Sequence, residues 1–534
     1  MHFSFRVKYF VFPIVLTLLS LAIFAQAPSN GLDTVRVQSG FISGTRSPDS
    51  TLHIFRGIPF AAPPIGAWRW KAPREAEHWT GIRACDAFGP HPMQAPPMAF
   101  GVYTAEFLIP DSRVSEDCLY LNVWTGAKSA TEKRPVIVWI YGGGFINGSG
   151  AVPLYDGSAM AKKGAVFVSF NYRLGIFGFF SHPDLTRESP VHTSGNYGLL
   201  DQLAALHWVQ RNIQAFGGDP ANVTIDGQSA GAMSINCLVA SPLSKGLFRR
   251  AIAESGAMLI SNPLSGMPLL AQDEKDGLKT AEKLGASSVD DLRKIPAAVL
   301  LSKVKLFGWM PIVDGHVIPA PLAEIFAAGK ENPVDLLTGW NADDAVIFGA
   351  PKNAEAYRQQ VLSQFGSSAG TMLGAYPGTT DSEALISQLQ MSRDMVFAVQ
   401  NFSWARWQSA QRGAKVYLYF FARRLPATPA FAKYGAFHCG EIAYALDNLE
   451  FLHRPWEAMD HQLASKMSDY WLNFARTGNP NGQTVPEWPP FHAGHTVQMV
   501  LGEETAPRPV PDSARLDLMT ATLKQVQAAG PVSH

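Results

Sequence analysis

The sequence predicts an α/β protein with a central, mostly parallel β-sheet, flanking helices, and large loop and helical insertions. Two patterns favour this fold. Short apolar runs end in glycine or polar turns, as strands buried on both faces do, and a helical pattern lies between two of those runs. The composition agrees, because 47% of the 534 residues are hydrophobic, which is enough apolar material for a large core.

Five apolar runs are predicted to be strands of this sheet. They are PVIVWIYGGG (Pro135–Gly144), AVFVSFNYR (Ala165–Arg173), NVTIDG (Asn222–Gly227), VDLLTGWN (Val334–Asn341) and VYLYFF (Val416–Phe421). Between the second and third runs, apolar residues recur at helical spacing from Leu199 to Ile213, and Gly217-Gly218 ends that helix. The order of strand, helix and strand favours right-handed crossovers in a parallel sheet.

The first residues have the order of a secretory signal peptide. Basic residues precede an apolar run over residues 9–24, and small residues follow it. We expect cleavage after Ala25, so that residues 1–25 are the signal and residues 26–534 form one secreted or periplasmic domain. A membrane anchor is the alternative, and it is disfavoured because a spanning helix needs about 20 apolar residues.

The charge balance excludes one broad class of function. Lys+Arg and Asp+Glu both number 44, which gives a formal net charge of zero, and no basic stripe is present. A protein that binds nucleic acid needs such a stripe to neutralise phosphates. Nucleic acid is therefore not an expected partner.

One serine stands in the pattern G-x-S-x-G, between a predicted strand and a predicted helix. The stretch is Gly227-Gln228-Ser229-Ala230-Gly231. In this setting the glycines let the turn close tightly, so that the serine points out at the carboxyl edge of the sheet. The pattern also arises by chance, and an ordinary glycine-rich bend is the alternative. The flanking strand and helix favour Ser229 as a nucleophile, with the Ala230 amide facing the same point.

A serine nucleophile needs a base, a group that orients the base, and donors for the oxyanion. Gly142, Gly143 and Gly144 follow the first predicted strand, where backbone N–H groups without side chains can approach a carbonyl oxygen. A phosphate-binding loop is disfavoured, because no Gly-Lys-Ser/Thr follows.

His438, in YGAFHCGEIAY, is the candidate base, although the chain has 14 histidines and a lone histidine is more often structural. A metal pair with Glu441 is disfavoured, because no second histidine lies at the spacing of zinc hydrolases. The acid is Asp343 or Asp344 in GWNADD, directly after a strand. The residues alone leave that choice open.

Taken together, the chain resembles the type-B carboxylesterase and cholinesterase family of α/β-hydrolases over nearly its whole mature length. The matching segments are FRGIPFAAPPIG, SEDCLYLNVW, WIYGGGF, NYRLGIFGF, GNYGLLDQLAALHWVQRNIQAFGGDPANVTIDGQSAGA, GWNADD, GAFHCGEI and YWLNFARTGNPN. The resemblance implies an ester hydrolase with Ser229 as nucleophile and His438 as base. It also implies an oxyanion hole formed by Gly143, Gly144 and Ala230, with no cofactor and no metal.

The resemblance extends to supporting residues. It aligns the acid with Asp344, where most relatives carry glutamate, and it gives Ser255 a hydrogen bond near the acid. Gln228 stands beside the nucleophile where many relatives have glutamate, and Cys439 replaces a small residue beside the base. Two buried ion pairs are also implied: Arg69 with Glu116, and Arg173 with Asp201.

The four cysteines allow three pairings. In an oxidising compartment Cys85 and Cys118 could close the loop between them, whereas Cys237 and Cys439 lie in segments that look buried. The residues do not choose among the pairings. The resemblance favours a disulfide between Cys85 and Cys118, with the other two thiols free.

The expected function is the hydrolysis of neutral, moderately apolar carboxylic esters, with a small-molecule ester as the partner. Gln228 removes a negative charge from the pocket, and the loop over residues 85–118 contains no tryptophan to bind a quaternary ammonium, so choline esters are disfavoured. A lipase or an aromatic-ester (feruloyl-type) hydrolase is the alternative. A non-catalytic binding homologue is the remaining one, although such proteins usually lack the serine or the histidine.

Overall fold

A computed structural model describes residues 31–529 except residues 100, 102, 263–265, 350, 352, 430 and 512, together with residues 1, 2 and 4. Nearly all of the predicted signal segment, residues 1–25, lies outside the described residues, as does its predicted cleavage site. Within the described part of the chain, none of the helices is both long and apolar enough to cross a bilayer.

An 11-stranded sheet forms the centre of the described chain. Its strands are β1 (Thr45–Arg46), β2 (His53–Pro59), β3 (Tyr120–Thr125), β4 (Arg134–Ile140), β5 (Val166–Phe170), β6 (Gly218–Gln228), β7 (Arg250–Glu254), β8 (Asp335–Asn341), β9 (Val416–Phe421), β10 (Val497–Leu501) and β11 (Ala506–Pro509). Their spatial order is β11-β10-β9-β8-β7-β6-β4-β5-β3-β2-β1. The neighbours from β10 through β5 run parallel, and antiparallel strands extend both edges. The predicted mostly parallel sheet is confirmed.

The helices connect and flank these strands. They are α1 (Ser158–Lys162), α2 (Gly175–Phe179), α3 (Pro183–Glu188), α4 (Tyr197–Asn212), α5 (Ala230–Ala240), α6 (Leu270–Lys283), α7 (Val289–Lys294), α8 (Ala297–Lys303), α9 (Leu322–Ala327), α10 (Ala354–Phe365), α11 (Ala369–Ala375), α12 (Asp381–Arg393), α13 (Val399–Ala410), α14 (Ile442–Ala445), α15 (Ala458–Thr477) and α16 (Ser513–Ala529). A π-helix over Asp394–Ala398 joins α12 to α13. Smaller strands, at Thr34–Val37, Gly40–Ser43 and Ile82–Ala84, form a separate three-stranded sheet, and His91–Pro92 pairs with Val114–Ser115.

The predicted strands and helix are present with small shifts of their ends. Every residue of β5 and of β7 is buried, as expected for strands covered on both faces. The predicted helix is α4, which continues as a 3₁₀ turn over Ile213–Phe216. Gly217 then ends it in the left-handed conformation, with φ 81°.

The predicted disulfide between Cys85 and Cys118 is wrong, since both are free, buried thiols. Strand β2 separates them. The carbonyl of Cys85 accepts from Arg56 N at 2.8 Å, whereas the carbonyl of Leu119, next to Cys118, accepts from Phe60 N at 3.2 Å. The segments of the two cysteines thus bind different residues, one in β2 and one directly after it. The other two cysteines are also buried and free.

Candidate active site

Ser229 lies on the turn between β6 and α5, with φ 58° and ψ −122°. That conformation is unfavourable for a residue with a side chain and costs about 1–3 kcal/mol. The surrounding backbone holds it, because Ser229 N donates to Glu254 O on β7 at 2.8 Å. A Cβ would lie 2.4 Å from Ile140 O at Gly227, and 1.9 Å from it at Gly231. The two glycines of the motif are therefore required by the close approach of β4.

The glycine loop after β4 lies against this turn. A Cβ at Gly142 would come within 3.0 Å of the Ser229 Cβ. Gly143 and Gly144 have φ values of 104° and 62°, which favour glycine, and the carbonyl of Gly143 accepts from Asn147 N at 3.1 Å. Within the described residues, the N–H groups of Gly143 and Gly144 have no hydrogen-bond acceptor, so they are available to a bound oxyanion.

His438 and Asp344 are joined by a hydrogen bond of 2.8 Å between Nδ1 and Oδ1, and both side chains are buried. The other carboxylate oxygen of Asp344 accepts from Ser255 Oγ at 3.0 Å and from Asn341 N at 2.7 Å. Asp344 rather than Asp343 is therefore the partner of the imidazole. Because the bond to Asp344 uses Nδ1, Nε2 is the nitrogen that can exchange a proton with a substrate.

The structure does not join every sequence-predicted residue. Across the described residues, the Ser229 hydroxyl and the His438 imidazole share no hydrogen bond. Hydrogen bonds between nucleophile and base are often long or poorly aligned without substrate and tighten in the complex. Ser229 is partly exposed, so a substrate carbonyl can reach it, whereas His438 is buried.

Asp343 fixes the loop that carries the histidine. Its Oδ2 accepts from Ala436 N at 2.8 Å, and its own N–H donates to Ala436 O at 3.0 Å. A Cβ at Gly435 would lie 2.1 Å from Asp343 Oδ2, so the loop needs glycine there. Sequence reasoning treated the two aspartates as competitors for one role. The structure gives each its own contact.

Two groups pack against the His438 ring. Gln228 Nε2 lies 3.4 Å from Nδ1 and 3.3 Å from Nε2 of the imidazole. The Phe397 ring stacks on the imidazole with a centroid distance of 4.6 Å and an interplanar angle of 30°. Phe397 belongs to the π-helix, an irregularity that often marks functional sites. Sequence reasoning missed Phe397, because the spacing of apolar residues does not distinguish a π turn from an ordinary helix.

A cluster of buried carboxyl groups lies near Asp344. Burial raises the pKa of Asp226 to about 8, and burial together with the neighbouring Asp226 and Glu441 raises that of Glu254 well above its usual range. Burial and the nearby Asp344 raise the pKa of Glu441 to about 8. Trp471 Nε1 donates to Glu254 Oε1 at 2.7 Å. These groups therefore hold protons near neutral pH, a property that the sequence did not reveal.

Two buried ion pairs hold the frame around the site. Arg69 meets Glu116 through two hydrogen bonds of 2.6 Å, and Arg173 meets Asp201 through two of 2.7 Å. The backbone N of Arg173 also donates to Asp201 at 3.0 Å. Both predicted pairs are confirmed.

Among the described residues, no group of three or more His, Cys, Asp and Glu side chains is arranged to hold a metal ion. His438 and Glu441 do not face a common point, since His438 binds Asp344 and Glu441 accepts from Asn341 Nδ2.

Comparison with known proteins gives a consistent result. The family model described as "Carboxylesterase family" matches residues 32–517. Fumonisin B1 esterase of Sphingopyxis macrogoltabida is 37% identical over 85% of this chain and 84% of that protein. Para-nitrobenzyl esterase of Bacillus subtilis is 36% identical over 90% of this chain and 97% of that protein.

The fold leads to the same family. A solved structure titled PNB esterase superposes with a TM-score of 0.77 at 33% identity, over 91% of this chain and 99% of that one. The central sheet with its flanking helices is thus an α/β-hydrolase fold. The chain belongs to the carboxylesterase family, and it is an enzyme that hydrolyses carboxylic esters.

Proposed function

We propose that Ser229, His438 and Asp344 form the catalytic triad of this esterase. The observation that carries the proposal is the buried hydrogen bond from His438 Nδ1 to Asp344 Oδ1, which leaves Nε2 to act as the base. Ser229 attacks the ester carbonyl while His438 takes the hydroxyl proton. Asp344 keeps the imidazole in the required tautomer and stabilises its cationic form.

The amides of Gly143, Gly144 and Ala230 bind the oxyanion that forms in this step. Backbone donors fixed in advance are worth about 3–4 kcal/mol each in such sites. His438 then protonates the leaving alcohol, and water hydrolyses the acyl-enzyme by the same route. Neither step requires a redox change.

The substrates that we propose are neutral, moderately apolar esters. The groups that pack against the imidazole, Gln228 and Phe397, carry no charge. Phe107 contacts the ring of Phe437, next to His438, at a centroid distance of 6.0 Å and that of Tyr103 at 6.3 Å. An aromatic-ester hydrolase is the second candidate, because aromatic side chains near His438 suit an aromatic acyl or alcohol group.

The test is hydrolysis of nitrophenyl esters from acetate to decanoate, beside feruloyl esters and emulsified long-chain glycerides. The purified mature chain is compared with Ser229→Ala. We expect activity on the soluble esters and a loss of about 10⁶-fold in the variant, the scale found when such nucleophiles are removed. Equal rates in the two proteins would overturn the assignment of Ser229. A preference for the glycerides would replace the esterase specificity with that of a lipase.

We also propose that the chain is exported, on the order of charged, apolar and small residues at its start. Mass spectrometry of the mature N-terminus tests this. Cleavage after Ala25 is expected, and an uncleaved N-terminus on protein recovered from the cell interior would contradict it.

A further inference from the structure

Two residues that depart from the family pattern contact each other beside the catalytic histidine. The Cys439 thiol donates to Gln228 Oε1 at 3.1 Å. Burial raises the pKa of that thiol well above its usual range, so it keeps the proton it donates. The backbone of Cys439 has φ 74°, a region that glycine adopts more easily than cysteine. A cysteine thus stands where the backbone alone would favour glycine.

The contact orients the carboxamide of Gln228. With its oxygen bound to the thiol, the side chain turns its NH₂ group toward His438. Because Nε2 of Gln228 is almost equally distant from both ring nitrogens, and Nδ1 already binds Asp344, the amide lies over the ring face rather than in the ring plane. The Phe397 ring stacks on the same imidazole. The imidazole is therefore packed against both an amide and a benzene ring.

The amide face has an electrostatic consequence. Carboxamide hydrogens carry partial positive charge, so they attract the π face of a neutral imidazole and repel an imidazolium. A carboxylate at the position of Gln228 would act in the opposite direction. Phe397 can meet the imidazolium by a cation–π contact. Gln228 thus favours the neutral form of the imidazole, whereas Phe397 can also accept the charged form.

We propose that Cys439 and Gln228 are a positioning pair for His438: the thiol orients the carboxamide, and the carboxamide holds the imidazole against Phe397 in its neutral, proton-accepting form. The pair extends the working range of the esterase toward lower pH. This inference rests on the proposed triad, since it assigns a role to residues that act through His438. Neither residue of the pair needs to touch the substrate.

Other ionisable groups near the imidazole are the same in every variant of the test. Asp344 binds Nδ1 directly, and Glu441 lies behind it with its pKa raised to about 8 by burial and by Asp344. Arg393 acts on Asp344 from the end of α12 and is paired with Asp394 at 2.7 Å. Tyr103 faces Cys439, and burial raises its pKa well above the usual range. A change confined to the variants is therefore attributable to the positioning pair.

The experiment measures kcat and KM for a soluble nitrophenyl ester from pH 4 to 9, with the melting temperature of each variant. Gln228→Glu should move the midpoint of the acid limb of kcat/KM upward by about one to two pH units, the effect of an opposite charge at this distance. Cys439→Ala should lower kcat about tenfold with KM little changed. Cys439→Ser should keep kcat near the parental value, since the serine hydroxyl can donate to Gln228 Oε1. Cys85→Ala, which removes a buried thiol that follows the strand Ile82–Ala84 and is not in contact with Gln228, is the matched control.

Cys439→Gly separates positioning from simple stability. It relieves the strained φ and should raise the melting temperature, yet it should lose activity as Cys439→Ala does. A Gly variant with parental kcat and pH profile would overturn the proposal. If the buried charge of Gln228→Glu prevents folding, the cysteine series decides alone. An inactive Ser229→Ala beside unchanged Gln228 and Cys439 variants would refute only the pair, whereas an active Ser229→Ala would refute the triad itself.

Discussion

Asp343 and Ala436 are hydrogen-bonded twice, once through the aspartate carboxylate at 2.8 Å and once through its backbone N–H at 3.0 Å. The first bond ties the turn that carries Asp344 to the loop that carries His438. The distance between Asp344 and His438 is thus set by the residue next to the acid as well as by the acid itself. Asp343, which the sequence offered as a rival acid, instead binds the loop of His438.

We expect Asp343→Ala to lower kcat by about 10- to 100-fold with little change in KM, because a displacement near 1 Å in a catalytic group has that effect. Asp343→Asn should retain most of the activity, since its amide oxygen still accepts from Ala436 N. Steady-state kinetics of the two variants make the comparison. Equal losses in both would show that charge, rather than the hydrogen bond, matters at this position.

Asp344→Asn should lower kcat about 10⁴-fold while leaving the fold intact. The amide NH₂ cannot accept the proton on His438 Nδ1, so the ring loses the tautomer that the reaction needs. Steady-state kinetics measures the loss of kcat, and circular dichroism shows whether the fold is intact. Asp343→Asn serves as the matched control, and a comparable loss there would contradict a special role for Asp344.

Stability should fall as pH rises from about 4 to 8 because of Asp226. Burial raises the pKa of this group from 3.8 to about 8, so across that window the folded chain keeps a proton that the unfolded chain has released. The slope is about −1.4 kcal/mol per pH unit for one such group. Asp226→Asn should make the fall in urea-unfolding stability across this window shallower, with Glu254 and Glu441 still contributing, whereas Asp290→Asn, whose side chain is 82% exposed, should leave it unchanged. An unchanged slope in Asp226→Asn would show that Asp226 does not hold the proton.

Removing one member of the Arg173–Asp201 pair should cost about 3–5 kcal/mol, because the partner is left as an uncompensated buried charge. Arg173→Met paired with Asp201→Leu should recover most of that loss, since no charge then remains buried. Urea unfolding of the two single variants and the double variant measures the coupling. A double variant as unstable as the sum of the singles would mean that the two side chains do not interact.

All four cysteines should react with an alkylating agent under denaturing, non-reducing conditions. Reductant should leave the melting temperature unchanged, because no cross-link is present to be broken. Mass spectrometry counts the labels. Two labels instead of four, with a lower melting temperature after reduction, would restore the disulfide that the resemblance favours.

The sequence predicted those features that depend on local pattern. The turn at Ser229 was predictable because its glycines, strand and helix are contiguous, and the buried strands were predictable from their apolar runs. Asp343 was misjudged because its partner, Ala436, lies 93 residues further along the chain. The disulfide between Cys85 and Cys118 was expected from the resemblance alone, because the residues did not choose a pairing, and both thiols are free.

Contacts between side chains on separate secondary-structure elements could not be predicted from the sequence. Phe397 reaches the base through a π turn, which apolar periodicity does not distinguish from an ordinary helix. Asp226 stood inside a run interpreted only as a strand, and its carboxyl partner comes from the neighbouring strand. Such relationships depend on register and packing, which a single sequence does not specify.

Phe397 stacks on two rings, the buried imidazole of His438 and the exposed ring of Phe348. Phe348 stacks on Phe397 with a centroid distance of 6.2 Å and is 42% exposed, so only one ring separates a surface side chain from His438. A fluorophore introduced at position 348 would thus sense, from the outside of the protein, whether an ester occupies the site. Through the same stack, substitutions at position 348 could alter the surroundings of His438 without changing Ser229, His438 or Asp344.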